Sequence, residues 1–213
     1  MKRTEHREEK WKFPFVSYEP EDNKEKLPLI IQLHGVGERG YGKDDLAAVD
    51  VHGLSKLLQE KDYPCLFVMP QCPPDTFWAC RVESILGFIE QLKQVYDVDE
   101  DRVYLTGLSM GGYGTWFTAQ AKPELFAAIA PVCGGGMSWA ASVLPMPIWT
   151  FHGTEDMTVK PYHTEEMVAS LKNCGADVTY TVLEGVAHNA WDYAYNDTLV
   201  RWLLSKKRNK NCP

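Results

Sequence analysis

Long hydrophobic runs are missing from this 213-residue sequence, and no stretch is apolar enough to cross a bilayer as a helix, so no membrane partner is expected. Positive charge is in deficit: 22 Lys and Arg face 29 Asp and Glu, a formal net charge of -7. That balance argues against a general nucleic-acid binder and says nothing about the fold. The short basic stretch Lys206-Lys207-Arg208-Asn209-Lys210 reads as a solvated end. The six cysteines (Cys65, Cys72, Cys80, Cys133, Cys174, Cys212) form no C-x-x-C pair and show no metal-ligand spacing, so neither a structural zinc nor any other metal is expected. Cys65 and Cys133, in or beside apolar runs, read as buried thiols, while Cys72 and Cys80 could pair in an oxidising compartment. The charged start MKRTEHREEK lacks the apolar core of a secretory signal, so a cytoplasmic location is expected. A trimmed form of an exported protein would read the same. Internal repeats, low-complexity stretches and linkers are absent, and the length suits a single domain over 1–213, with 1–10 and 206–213 as loosely ordered tails.

What is present is an alternation of strand-like and helix-like segments. Trp11–Tyr18, Leu27–Leu33, Cys65–Met69, Val103–Thr106, Phe126–Val132, Ile148–Phe151 and Val178–Leu183 read as strands. Between them, Leu46–Glu60, Val82–Val95, Gly112–Ala119, Glu165–Leu171 and Leu199–Leu204 read as helical, and Asp97–Asp101 as a turn. Alternation of this kind predicts an α/β fold with a mostly parallel central sheet and helices on both faces.

The chain is organised around Val103–Gly114, VYLTGLSMGGYG. Gly107-Leu108-Ser109-Met110-Gly111 matches G-x-S-x-G, with a strand before it and a helix after it. Lifting a serine hydroxyl above a sheet edge requires an abrupt strand-to-helix turn, which crowds the residues two before and two after the serine. Glycines there remove the offending Cβ atoms. The same pentapeptide could also occur with Ser109 as an ordinary helix N-cap, so partners must be found.

A serine nucleophile needs a general base, and the base an orienting carboxylate. On this architecture they follow in the order acid, then histidine, after later strands. Asp156 lies just past Ile148–Phe151, with Glu155 as the neighbouring carboxylate, and His188 lies just past Val178–Leu183. His34 and His152 end strands beside glycine and read as structural, while His52 and His163 have no evident link to the serine. For the tetrahedral oxyanion, the Met110 N–H after the nucleophile is one candidate donor. The other comes from the loop after His34-Gly35, with Val36 first and Gly37 second. Gly35-Val36-Gly37-Glu38-Arg39-Gly40 also matches the dinucleotide pattern G-x-G-x-x-G. That pattern needs a helix opening within it and an acidic residue ending the next strand, whereas here the next strand ends in Met69-Pro70. No cofactor is expected.

Taken together, His34–Gly40, Gly107–Gly112, His152-Gly153-x-x-Asp156 and the His188 region through Trp191 and Tyr195 resemble the α/β-hydrolase superfamily. Within it they resemble the small esterases that include feruloyl (cinnamoyl) esterases and carbohydrate esterase relatives, over about Leu27 to Leu204. The resemblance implies Ser109, Asp156 and His188 as the triad and Val36 and Met110 as the oxyanion hole. It also implies a carboxylic ester as substrate, a small molecule or an oligosaccharide ester. The segment Cys133–Pro147, where many relatives insert a lid, is short, which predicts an open cleft. Trp78, Trp139 and Trp191 fall on loops near the expected site and are candidates to stack on a phenolic acyl group or a sugar. A thioesterase or lysophospholipase would use the same triad, and a non-catalytic receptor on the same fold is the alternative from another class.

Overall fold

A strand buried on both faces must be covered from both sides, and the order of elements in this chain provides the cover. The structure, a computed structural model, describes residues 1–21 and 25–208. In chain order the strands and helices are β1 (Lys2–His6), β2 (Phe15–Glu19), β3 (Leu27–Leu33), α1 (Ser55–Glu60), β4 (Leu66–Pro70), α2 (Val82–Val95) and β5 (Val98–Leu108). They continue with α3 (Met110–Ala121), β6 (Ala128–Val132), β7 (Ile148–Gly153), α4 (Tyr162–Asn173), β8 (Val178–Leu183), α5 (Trp191–Ala194) and α6 (Asp197–Leu204). Short 3₁₀ helices at Val36–Glu38, Leu46–Asp50, Trp78–Cys80 and Ser138–Val143 lie between them.

The strands form one sheet in the order β1-β2-β4-β3-β5-β6-β7-β8. β1 and β2 are antiparallel additions at one edge, and the pairings from β4 through β8 are parallel. Successive side chains of a strand point to opposite faces, and the two cores follow that rule. Leu29, Ile31 and Leu33 of β3, with Val103 and Leu105 of β5, face α2, α3 and α4 through Ile85, Phe88, Trp116 and Met167. Ile30 and Tyr104 face the opposite side, where Leu58, Leu199 and Leu203 of α1 and α6 close the second core. The expected doubly covered parallel sheet is what the chain forms.

Four expectations change. The segment 1–10 is not a loose tail, because Lys2–His6 pairs with Phe15–Glu19 as an edge strand. Its polar sequence, KRTEH, suits an edge with a solvated face and carries little apolar alternation by which to recognise it. At the other end, the Tyr104 hydroxyl donates to the Lys206 carbonyl at 2.6 Å, and Arg208 bonds the Asp101 carboxylate at 2.9 Å. Residues 206–208 are therefore held against the body; 209–213 lie outside the described residues. Asp97–Asp101 is not simply a turn, since Val98 already pairs with Leu27 across a register shift and β5 begins there. The five described cysteines are free thiols, so Cys72 and Cys80 are not paired.

Candidate active site

β5 ends at Leu108 and α3 begins at Met110, leaving Ser109 alone to make the turn. Its backbone has φ 54° and ψ -115°, a conformation that costs a non-glycine residue on the order of 1–3 kcal/mol. The flanking glycines have the steric role the motif implies. A Cβ on Gly107 would collide with the Gly111 carbonyl, and one on Gly111 would collide with the carbonyl of Leu33 at the end of β3. The Ser109 N–H donates to the Val132 carbonyl at 3.0 Å, tying the turn to the C-terminal end of β6.

Asp156 and His188, the expected acid and base, arrive on the two loops beyond β7 and β8. Those loops are joined to each other: the Glu155 N–H donates to the Val186 carbonyl at 3.0 Å, and the Gly185 N–H donates to Thr154 Oγ1 at 2.9 Å. Ser109 Oγ donates to His188 Nε2 at 2.8 Å, and His188 Nδ1 donates to Asp156 Oδ2 at 2.6 Å. Asp156 is buried, and its Oδ1 accepts from the Thr158 and Val159 N–H groups, both at 2.9 Å. With three of its four lone-pair sites so occupied, the carboxylate cannot rotate away from the imidazole. Glu155, the neighbouring carboxylate, is exposed.

His152, read as structural, lies beneath this line. It is fully buried, with Nε2 at 2.8 Å from the Val159 carbonyl and 3.3 Å from Asp156 Oδ2, and Nδ1 at 2.7 Å from Thr164 Oγ1. Burial lowers its pKa. His34 is also structural. Its Nε2 accepts from the Cys72 N–H at 2.9 Å, which leaves Nδ1–H to donate to the Gly35 carbonyl at 2.6 Å. Burial lowers its pKa to about 4, so it stays neutral in the fold. Cys133, at the end of β6, places a thiol within 4.8 Å of ligand-capable atoms of Asp156 and His188. Burial pushes that thiol's pKa up, and the Asp156–His188 contact is too short to admit an ion between its partners.

The walls differ from expectation in one place. Trp78 is fully buried rather than at a rim: its indole N–H donates to the His34 carbonyl at 3.0 Å, and its ring meets Phe13 edge-on at 5.3 Å. It props up the end of β3 and is no substrate contact. Trp139 is 81% exposed on the Ser138–Val143 helix. Trp191 does reach the site, its ring edge-on to His188 at 5.3 Å. Val36 is exposed and opens a 3₁₀ turn directly after Gly35, while Met110 opens α3 directly after Ser109. A Cβ built on Gly35 would stand 3.9 Å from the Ser109 Cβ, so the Gly35–Gly37 loop borders the nucleophile. The Gly35–Gly40 stretch thus makes a 3₁₀ turn and a loop, and no α-helix opens within it.

The fold has counterparts among known proteins. A crystal structure of a thermostable esterase superimposes with a TM-score of 0.82 at 31% identity, over 97% of this chain and 63% of that one. The chain has the α/β-hydrolase fold. The model of the prolyl oligopeptidase family matches residues 81–144, the part of the hydrolase fold that carries Ser109 but neither Asp156 nor His188. A bifunctional acetylxylan esterase/xylanase from Neocallimastix patriciarum is 29% identical over 65% of this chain and 21% of its own length. A poly(3-hydroxyalkanoate) depolymerase from Paucimonas lemoignei is 26% identical over 81% of this chain and 52% of its own. The chain spans about half or less of the length of the curated relatives it matches.

Two residues beside this site were not linked to it by the sequence. His52, on the chain between two short helical turns, tilts against Trp191 at 5.5 Å between ring centroids. Glu38, one turn into the loop after Gly35, is 8% exposed. His52 carries no local signal, because it reaches the site only through Trp191, and Glu38 none because the sequence does not show which way its side chain turns.

Proposed function

We propose that this α/β hydrolase is a serine carboxylesterase acting through an acyl-enzyme on feruloyl, cinnamoyl or acetyl esters of plant-derived carbohydrates. The observation that carries the proposal is the continuous hydrogen-bonded line from Ser109 Oγ through His188 to the buried Asp156. In attack, His188 Nε2 takes the Ser109 proton as Oγ bonds to the ester carbonyl carbon. The carbonyl oxygen, now negative, is received by the N–H groups of Met110 and Val36. His188 then gives its proton to the departing alcohol. Water repeats the sequence against the acyl-serine, releasing the acid and restoring Ser109. Asp156 holds the imidazole in the required tautomer and offsets its transient charge.

The 3₁₀ helix between β6 and β7 leaves the cleft without a large lid, which suits a bulky or polymer-attached ester. The likeness to an acetylxylan esterase supports the carbohydrate ester reading. A second reading, peptide hydrolysis, is favoured by the prolyl oligopeptidase match alone. The test is hydrolysis of p-nitrophenyl acetate, methyl ferulate, a long-chain p-nitrophenyl ester and a peptidyl p-nitroanilide by the protein and by Ser109→Ala. Serine-dependent turnover of methyl ferulate or the acetate supports the proposal. A preference for the long chain moves the protein towards lipid or thioester substrates, preference for the anilide supports the peptidase, and no turnover at all overturns the mechanism.

A further inference from the structure

A closed circuit of six residues surrounds a small region beside the nucleophile. Ser109 bonds His188, and His188 meets the edge of Trp191. Trp191 lies against His52, and His52 Nε2 stands 3.7 Å from Glu38 Oε1, beyond hydrogen-bond distance. Glu38 Oε2 would lie 3.1 Å from a Cβ on Gly35, and that same Cβ 3.9 Å from the Ser109 Cβ.

Within this circuit, Glu38 is the group whose bonding is incomplete. Its side chain is nine-tenths buried, and Oε2 has no hydrogen-bond partner among the described residues. A buried carboxylate oxygen left unbonded is costly, so such groups call for an explanation. The nearby cations do not supply one. Arg39 is turned away, donating to the carbonyls of Val36, Pro74 and Thr76. His34 lies 3.9 Å from Oε2 but commits its one proton to the Gly35 carbonyl. The Glu38 main chain is fixed independently, its carbonyl accepting from Gln71 Nε2 at 3.1 Å. The loop therefore holds an acceptor in place next to the reacting serine.

We propose that Glu38 is a substrate-binding residue whose carboxylate, presented through Oε1 on the His52 side, accepts a hydrogen bond from a hydroxyl group carried by the ester close to its scissile bond. This rests on the esterase reading and names its substrate class: esters with a neighbouring hydroxyl, on either the alcohol or the acyl half. A hydroxyl fits better than an ammonium group. A cation in this circuit would stand close to His188 and oppose the positive charge the imidazole must take on during attack, whereas a hydroxyl satisfies the acceptor without that penalty.

The test uses two isosteric pairs that replace a hydroxyl by methyl. 2-Hydroxyethyl acetate is compared with n-propyl acetate, and methyl 3-hydroxybutyrate with methyl 3-methylbutyrate. In the wild-type protein, kcat/KM is expected to favour the hydroxylated member of one pair by about tenfold or more, as a hydrogen bond to a charged acceptor gives. The pair that shows the preference assigns the hydroxyl to the alcohol or the acyl half. Glu38→Ala should bring that ratio close to one. Glu38→Gln, which keeps the shape and one neutral acceptor oxygen, should lower it about threefold, and its thermal unfolding establishes that the fold is kept. Serine-dependent turnover without a hydroxyl preference in either pair, or a preference that survives in Glu38→Ala, overturns the subsite and leaves the esterase reading standing. Absence of serine-dependent turnover of all four esters overturns both.

Discussion

The α-carbon of Gly111 rests on the main-chain carbonyl of Leu33, with no space for a side chain between them. A carbonyl fixed in a central strand cannot give way as a flexible side chain can, so α3 would have to lift off the sheet. Gly111→Ala is therefore expected to destabilise the protein by about 3 kcal/mol or more, beyond ordinary overpacking, and to displace Ser109. Urea unfolding together with the rate of fluorophosphonate labelling at Ser109 checks both halves of the expectation.

Ser109 itself carries backbone strain, with a φ of 54°. Ser109→Ala should reduce ester turnover by a factor on the order of a thousand or more while the fold persists. Ser109→Gly should be equally inactive but more stable than Ser109→Ala by about 1 kcal/mol, because glycine tolerates the positive φ. Thermal unfolding of the two inactive variants side by side isolates the strain from the chemistry; equal stabilities would show that the turn is not strained.

The two tryptophans that looked alike in the sequence should part company on mutation. Trp78→Ala removes a fully buried ring and its hydrogen bond, and should cost about 3–5 kcal/mol. Trp191→Ala, at the half-buried edge of His188, should leave stability within about 1–2 kcal/mol and lower kcat/KM for esters. Denaturation midpoints and steady-state kinetics on both variants decide the matter.

Acid should act on the fold through His34. Its pKa is about 4 in the folded protein, below the ordinary histidine value of 6.5, so the unfolded chain binds the proton first. Stability is unaffected above pH 6.5, declines as the pH falls below it, and levels off below about 4. The contribution amounts to roughly 2–3 kcal/mol between pH 6.5 and 4.5. His34→Gln should flatten that part of the curve whatever its effect on stability at neutral pH. Urea midpoints at several pH values test the slope, and an unchanged slope in the variant refutes the assignment.

What the sequence revealed and what it hid divide along physical lines. β3, α2 and β8 could be read residue for residue because their apolar periodicity is set by the faces they bury. Ser109, Asp156 and His188 could be read because each occupies a turn next to a strand end, where glycine patterns and topology announce it. Trp78 was misplaced because a loop position does not reveal which way a side chain turns, and Phe13 and His34 enclose it. β1 was missed because an edge strand needs little apolar content. Glu38 and His52 were hidden more deeply. Glu38 faces His52, and His52 meets Trp191 more than a hundred residues later in the chain, a meeting that leaves no trace in local spacing.

The stitching of the β7 and β8 loops has a consequence for how the protein comes into being. The carboxylate and imidazole are locked to each other through Glu155, Val186, Thr154 and Gly185, yet both follow Ser109 by more than forty residues. A nascent polypeptide can shape the serine's turn, with β3, β5 and β6, long before it owns a base to deprotonate it. On the proposed mechanism, any product of interrupted synthesis that ends before residue 188 is chemically mute at Ser109.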